Sequence, residues 1–172
     1  TKGTILVDGI DVNSIDSKDY ISLFSTIFQD YVIYNASIRD NIILSANYEK
    51  ALFFQSVQSV KLNLNHFPQG ENTNIGTVYE EDGVDLSGGE SRKIALARAI
   101  YKQSAMFVLD EPTAALDPRA ECDLYLNFQK MVDDRGCVFI SHRLSSCKLC
   151  EKIFVFKEGK IVEKGSHETL MK

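Results

Sequence analysis

Two acids stand side by side, Asp110 and Glu111, directly after the apolar run Ala105-Met106-Phe107-Val108-Leu109 and before Pro112. Adjacent carboxylates at the end of a buried strand repel each other, an arrangement that costs free energy unless a cation or substrate uses them. Asp110 is placed to hold Mg2+, directly or through water. Glu111 is placed to polarise an attacking water. A solvated acidic turn is the plainer reading. It accounts for the charge but not for the position, at the carboxyl end of the most apolar strand, where α/β proteins bind ligands.

A second group is Leu86-Ser87-Gly88-Gly89-Glu90, which opens the helical pattern Ile94, Ala97, Ile100, Tyr101. Ser87 and Glu90 fit a capping box. A cap explains those two residues but not the paired glycines. Gly88 and Gly89 expose backbone N–H groups at a helix start, where the dipole also favours an anion the size of a phosphate. Three shorter segments complete the set. Asp117 before Pro118 is an acidic N-cap with proline at the first helical position, which does not exclude a second role. Ser141-His142-Arg143 and Phe28-Gln29-Asp30 each put polar groups at a strand end, and each means little alone.

The elements that must position these residues alternate between strand and helix, which predicts a mostly parallel sheet covered by helices. Thr4–Val7 reads as a strand with an Asp8-Gly9 turn, Lys18–Leu23 as a short helix and Ser25–Phe28 as a strand. Ser37 caps a helix beginning at Ile38, and Lys50–Val60 carries apolar residues at helical spacing. A polar, glycine-punctuated loop runs from Pro68 to Gly83. Ala105–Leu109 is a strand and Pro118–Val132 a helix, which Gly136 ends in a left-handed conformation. Cys137–Ser141 is a strand, Leu144–Cys150 a short helix, and Lys152–Phe156 and Lys160–Glu163 a hairpin around Glu158-Gly159. Ser166 caps the final helix.

Composition limits the alternatives. Apolar residues make up 44% of the 172, enough for a packed core, so disorder of the whole chain is excluded. The net charge is −5 with no basic run, which argues against broad binding to nucleic acid or anionic membranes. No apolar stretch is long enough to cross a bilayer. Cys147-x-x-Cys150 has no second pair to complete a zinc site, so Cys122, Cys137, Cys147 and Cys150 read as reduced thiols.

Taken in order, the five segments resemble the nucleotide-binding domain of ABC transporters over essentially the whole chain. Leu86–Glu90 resembles the family signature, with Glu90 where glutamine is commoner. Asp110 and Glu111 resemble the Walker B aspartate and the catalytic glutamate. Gln29 is similar to the Q-loop glutamine, Asp117 to the D-loop aspartate and His142 to the switch histidine. Phe28-Gln29-Asp30 and the approach Glu80-Glu81-Asp82-Gly83-Val84-Asp85 resemble exporters, with Glu80 and Glu81 where an acidic loop faces the coupling helices. No Gly-x-x-x-x-Gly-Lys-Ser/Thr occurs in the chain. The resemblance puts that P-loop before Thr1.

The resemblance implies a P-loop NTPase-like α/β fold lacking its N-terminal strands and P-loop. Residues 1–33 would be part of the ATPase core with the Q-loop. Residues 34–101 would be an inserted helical subdomain with the signature, and residues 102–172 the rest of the core. The implied ligands are ATP and Mg2+, with two domains facing head to tail. Ser87, Gly88, Gly89 and Glu90 would meet the nucleotide of a partner domain. Asp110 and Gln29 would serve Mg2+ and water in the chain's own site, with Glu111 as general base and His142 stabilising charge on the γ-phosphate. The implied partners are a second nucleotide-binding domain, in a homo- or heterodimer, and the transmembrane domain of the same transporter. The parent protein would lie at the cytoplasmic face of the plasma (inner) membrane, with nucleic acid not expected as a partner. The 172-residue piece alone would be soluble and unable to hydrolyse ATP, would leave Cys137–Ser141 and Lys152–Phe156 paired or separated by a gap, and would self-associate. Two other readings are a soluble ABC ATPase acting on nucleic acid or ribosomes, and a non-catalytic module that only lends its signature.

Overall fold

In the computed structural model, which describes residues 3–76, 83–111, 135–142, 147–148 and 150–172, alternation of strands and helices gives one parallel sheet and two hairpins. The chain opens with β1 (Leu6–Val7) and β2 (Ile10–Asp11), an antiparallel pair around Asp8-Gly9. Helix α1 (Ser17–Ser22) is capped by Asp16, whose carboxylate accepts from Lys18 N. Strand β3 (Phe24–Ile27) follows.

Helices α2 (Ile38–Ile43) and α3 (Lys50–Ser59) come next, and Ser37 caps α2 by accepting from Asp40 N. Helix α4 (Gly88–Tyr101) leads into β4 (Met106–Asp110). Strand β5 (Gly136–Ile140) then lies beside β4. Strands β6 (Ile153–Lys157) and β7 (Lys160–Gly165) form the expected hairpin, and Ser166 caps α5 (His167–Leu170).

The parallel sheet has the order β3-β4-β5, with Ile27 opposite Leu109 and Asp110 opposite Ile140. Of the two arrangements expected for Cys137–Ser141 and Lys152–Phe156, the described residues show separation: β6 pairs with β7, in a different sheet from β5.

From Ile94 onward helix α4 is buried on two sides, and there its sequence is apolar apart from Arg98. Ile94, Ala97 and Tyr101 pack with Ile38, Ile42, Phe53 and Val57 of α2 and α3. Leu96, Ala99 and Ile100 pack on Ile27, Phe107 and Leu109 of the sheet. One helix thus links the helical layer to the strands. Truncating fully buried Phe53 or Phe107 to alanine would cost about 3–5 kcal/mol.

One local expectation is corrected. Gly136 does not stop a helix in a left-handed conformation; it is the first residue of β5, opposite Met106. A Cβ there would sit 3.2 Å from the end of the Met106 side chain, which would have to shift slightly to admit it. The expected helix over Pro118–Val132 lies outside the described residues, as does most of Leu144–Cys150.

Candidate functional site

Parallel register brings three strand ends to one edge of the sheet. Gln29 lies just past the end of β3, Asp110 ends β4 with Glu111 next, and His142 follows β5 by two residues. The segments that carry Gln29, Asp110, Glu111 and His142, distant in sequence, therefore share the carboxyl edge where ligands bind in α/β sheets.

Glu111 is held tightly there. Its N–H donates to Ile140 O at 3.0 Å, extending the β4–β5 ladder one residue beyond the strand. Its φ is +45°, a left-handed conformation that costs a non-glycine residue on the order of 1–3 kcal/mol. The turn aims the side chain across to β5. His142 Nδ1 lies 2.8 Å from Glu111 Oε1, and with Nδ1 protonated it donates to the carboxylate. The Glu111 side chain is 29% exposed and that of His142 65%, so the pair is open to a ligand or water. Gln29 is exposed in its turn and Asp110 is half-buried.

The front of α4 is built differently. Ser87 is the N-cap: its hydroxyl accepts from Glu90 N, while Glu90 Oε2 accepts from Ser87 N at 2.9 Å and from the Ser87 hydroxyl at 2.6 Å. These bonds hold the Glu90 carboxyl below its ordinary value of 4.5. The capping box is therefore present, and Glu90 takes part in it. Gly88 and Gly89 occupy the first turn, where helix N–H groups have no intrahelical acceptor. Both are exposed, neither has positive φ, and a Cβ on either would meet no atom within 4 Å. Nothing inside the described chain requires glycine at these positions.

Asp117, Glu80 and Glu81 lie outside the described residues. Among the described residues, no three His, Cys, Asp or Glu side chains converge as a metal site, and Cys137 is a free thiol. Burial, with Cys150 nearby, pushes the Cys137 thiol up to about 12, far from a reactive thiolate at neutral pH. The donor chemistry at the sheet edge suits Mg2+. Asp110, Glu111 and Gln29 offer hard oxygens, and Mg2+ takes one or two carboxylates and completes its shell with phosphate and water.

Three residues escaped the reading of the sequence. Arg98, Asn41 and Tyr31 fasten the segment after Gln29 to α2 and α4. The available signal was a polar residue set in an apolar stripe. Arg98 adjoins buried Ala97, and Asn41 falls between Ile38 and Ile42.

A parallel sheet crossed by a two-sided helix, with an acid pair at a central strand end, defines an α/β chain of the P-loop NTPase-like class. A model of the ABC transporter family matches residues 1–114. The subtilin transport ATP-binding protein SpaT of Bacillus subtilis is 34% identical over 99% of this chain and 28% of its own length. The mitochondrial ABC transporter B family member 24 of Arabidopsis thaliana is 35% identical over 98% of this chain and 25% of its own. The ATP-dependent lipid A-core flippase of Burkholderia orbicola is 34% identical over 100% of this chain and 29% of its own. Among solved structures, a bacterial Atm1-family ABC exporter with ATP bound superposes with a TM-score of 0.88 at 30% identity, covering 99% of this chain and 30% of that one. The chain belongs to the ABC transporter family, as part of an exporter-type nucleotide-binding domain. It spans between 25% and 29% of the length of these three relatives.

Proposed function

We propose that the protein containing this chain is an exporter in which ATP hydrolysis drives transport across a membrane, and that this chain supplies the hydrolytic edge of one nucleotide site and the signature face of another. The observation that carries the reading is the Glu111–His142 contact of 2.8 Å at the joint end of two parallel strands. It places a carboxylate and an imidazole side by side, beside Asp110, where an α/β sheet presents groups to a ligand.

Mg2+-ATP, when bound, supplies the transferable phosphoryl group and neutralises part of its charge. Asp110 and Gln29 would hold the cation and orient water. Glu111 accepts the proton of the attacking water at its carboxylate. Its bond from His142 Nδ1 fixes the rotamer and directs Nε2 of the ring away from Glu111, and with a proton on both ring nitrogens Nε2–H can donate to the developing charge on phosphate. Positioned bases of this kind contribute about 10²–10⁴-fold. On the other side of the domain, the open N–H groups of Gly88 and Gly89, beside Ser87, would donate to a partner domain's γ-phosphate. The protein acts with a second nucleotide-binding domain and its own transmembrane domain, at the cytoplasmic face of the membrane. No helix among the described residues is long and apolar enough to cross it.

ATP hydrolysis tests the reading directly. The full-length protein should hydrolyse Mg2+-ATP, and Glu111→Gln should lower the rate at least about 100-fold with nucleotide binding retained. The 172 residues alone, which contain no P-loop motif, should hydrolyse ATP no faster than their Glu111→Gln variant. Undiminished turnover in full-length Glu111→Gln would remove the general base from the account.

A further inference from the structure

Arg98 stands in the last turn of α4, the helix that Ser87 begins. Its guanidinium donates from Nε to Asn41 O at 2.7 Å, from Nη1 to Val32 O at 2.9 Å and from Nη2 to Asn41 Oδ1 at 3.3 Å. It also lies over the Tyr34 ring, 5.4 Å from the centroid. Asn41 is fully buried and extends the network. Its Oδ1 accepts from Tyr34 N at 2.8 Å, and its Nδ2 donates to Tyr34 O at 2.9 Å and to Ser37 O at 3.1 Å. At the opposite end of α4, the Tyr31 hydroxyl donates to Gly88 O at 3.3 Å.

These bonds attach one stretch of chain to α4 at both ends. The stretch begins two residues after Gln29. Within it Val32 and Tyr34 are exposed, while Ile33 packs, partly buried, against the cluster formed by α2, α3 and α4. Hydrogen bonds to Arg98, Asn41 and Gly88 add to that contact in fixing its path. Arginine suits the task because its planar fork reaches acceptors on two segments at once, whereas a lysine ammonium is a single point charge.

We propose that Arg98 is a positioning residue that fastens the segment after Gln29 to the signature helix, so that Gln29 and the Ser87–Glu90 face move as one body. This rests on the reading of Gln29 as a ligand of Mg2+ and water. Arg98 itself acts through its bonds to Asn41 and Val32. A displacement of Gln29 in one site is thereby transmitted along α4 to the glycines that meet the nucleotide of the other. Small misplacements of a positioned group cost large factors in rate, up to about 100-fold for 1 Å.

The test uses the full-length protein with hydrogen exchange and ATP kinetics measured on the same samples. Arg98→Ala should raise amide exchange in residues 31–36 while exchange in the body of α4 stays unchanged. It should lower turnover at saturating ATP about tenfold or more, with the dissociation constant for ATP within about twofold. Arg98→Lys keeps the charge but not the fork, so it should restore little of the turnover and leave exchange at residues 32–34 raised. Tyr31→Phe should have a smaller effect, and the double substitution should fall short of the product of the two. A purely structural role predicts something else: turnover would fall only in proportion to the folded, ATP-binding fraction, and Arg98→Lys would restore both. That result, or unchanged exchange in residues 31–36 of an actively hydrolysing Arg98→Ala protein, would overturn the proposal. Absence of ATP hydrolysis in the unsubstituted protein would instead overturn the underlying reading of Gln29.

Discussion

The carboxyl edge of the sheet and the front of α4 both present polar groups to solvent, but they use different parts of the residue. At the sheet edge the groups are side chains. Asp110, Glu111 and His142 come together because β4 and β5 are parallel and in register, and the Glu111 backbone accepts a left-handed conformation to complete the pair. At the front of α4 the groups are backbone N–H donors. The side chains there, Ser87 and Glu90, are occupied with each other, and the two residues between them have no side chain at all. The first arrangement can move a proton. The second can only bind an anion. One helix carries the binding face and packs on the strands that carry the acids, so a change at one region has a rigid route to the other.

The contrast can be broken at its weakest point, the two glycines. A Cβ on either would meet no atom within 4 Å, so Gly89→Leu should leave folding intact. Leucine is the better helix former, and the unfolding free energy from urea titration should hold or rise, by up to about 0.7 kcal/mol. Turnover in the full-length protein should nevertheless fall about tenfold or more, because the added side chain fills the space a phosphate must enter. Retained turnover would mean that the open face serves no ligand.

A finer test separates capping from binding. Two bonds from Ser87 depress the Glu90 carboxyl. A carboxyl depressed in the folded state contributes stability that is complete above 4.5 and is lost as pH falls through its lower folded value. Glu90→Gln should therefore destabilise the chain at pH 7 by on the order of 0.3–1 kcal/mol. That difference should shrink as pH falls below 4.5, as read by urea unfolding of both proteins along a pH series. A difference independent of pH would assign the effect to packing rather than to charge at the helix start.

Much of this was legible before the structure, and the reason differs by region. Caps are local, so Ser37, Ser87 and Ser166 marked their helices correctly. The β6–β7 hairpin was legible from Glu158-Gly159 between two apolar runs. Strand β3 was displaced by one residue, since Phe24 and Phe28 are equally apolar and only pairing with β4 decides between them. Strand β2 was missed, because two residues carry no period. Gly136 was misread because glycine serves both a helix end and a close approach, and the Met106 side chain that distinguishes them lies on another strand. The candidate acids and histidine were legible as types at strand ends. Their contact was not, because it depends on register. Nor was the Arg98 network, whose acceptors are mostly backbone carbonyls that carry no sequence signal.

The most direct test of two regions serving two different nucleotides uses the full-length protein as mixed pairs of copies with separate tags. Glu111→Gln disables the sheet edge and Gly89→Leu the front of α4. Placed on opposite copies, both changes fall on the same nucleotide site, and about half of the ATP turnover should survive. Placed together on one copy, they disable both sites, and turnover should fall to background. The reverse pattern, with activity surviving only when both changes share a copy, would show that one chain's two regions serve a single nucleotide, and would contradict the account.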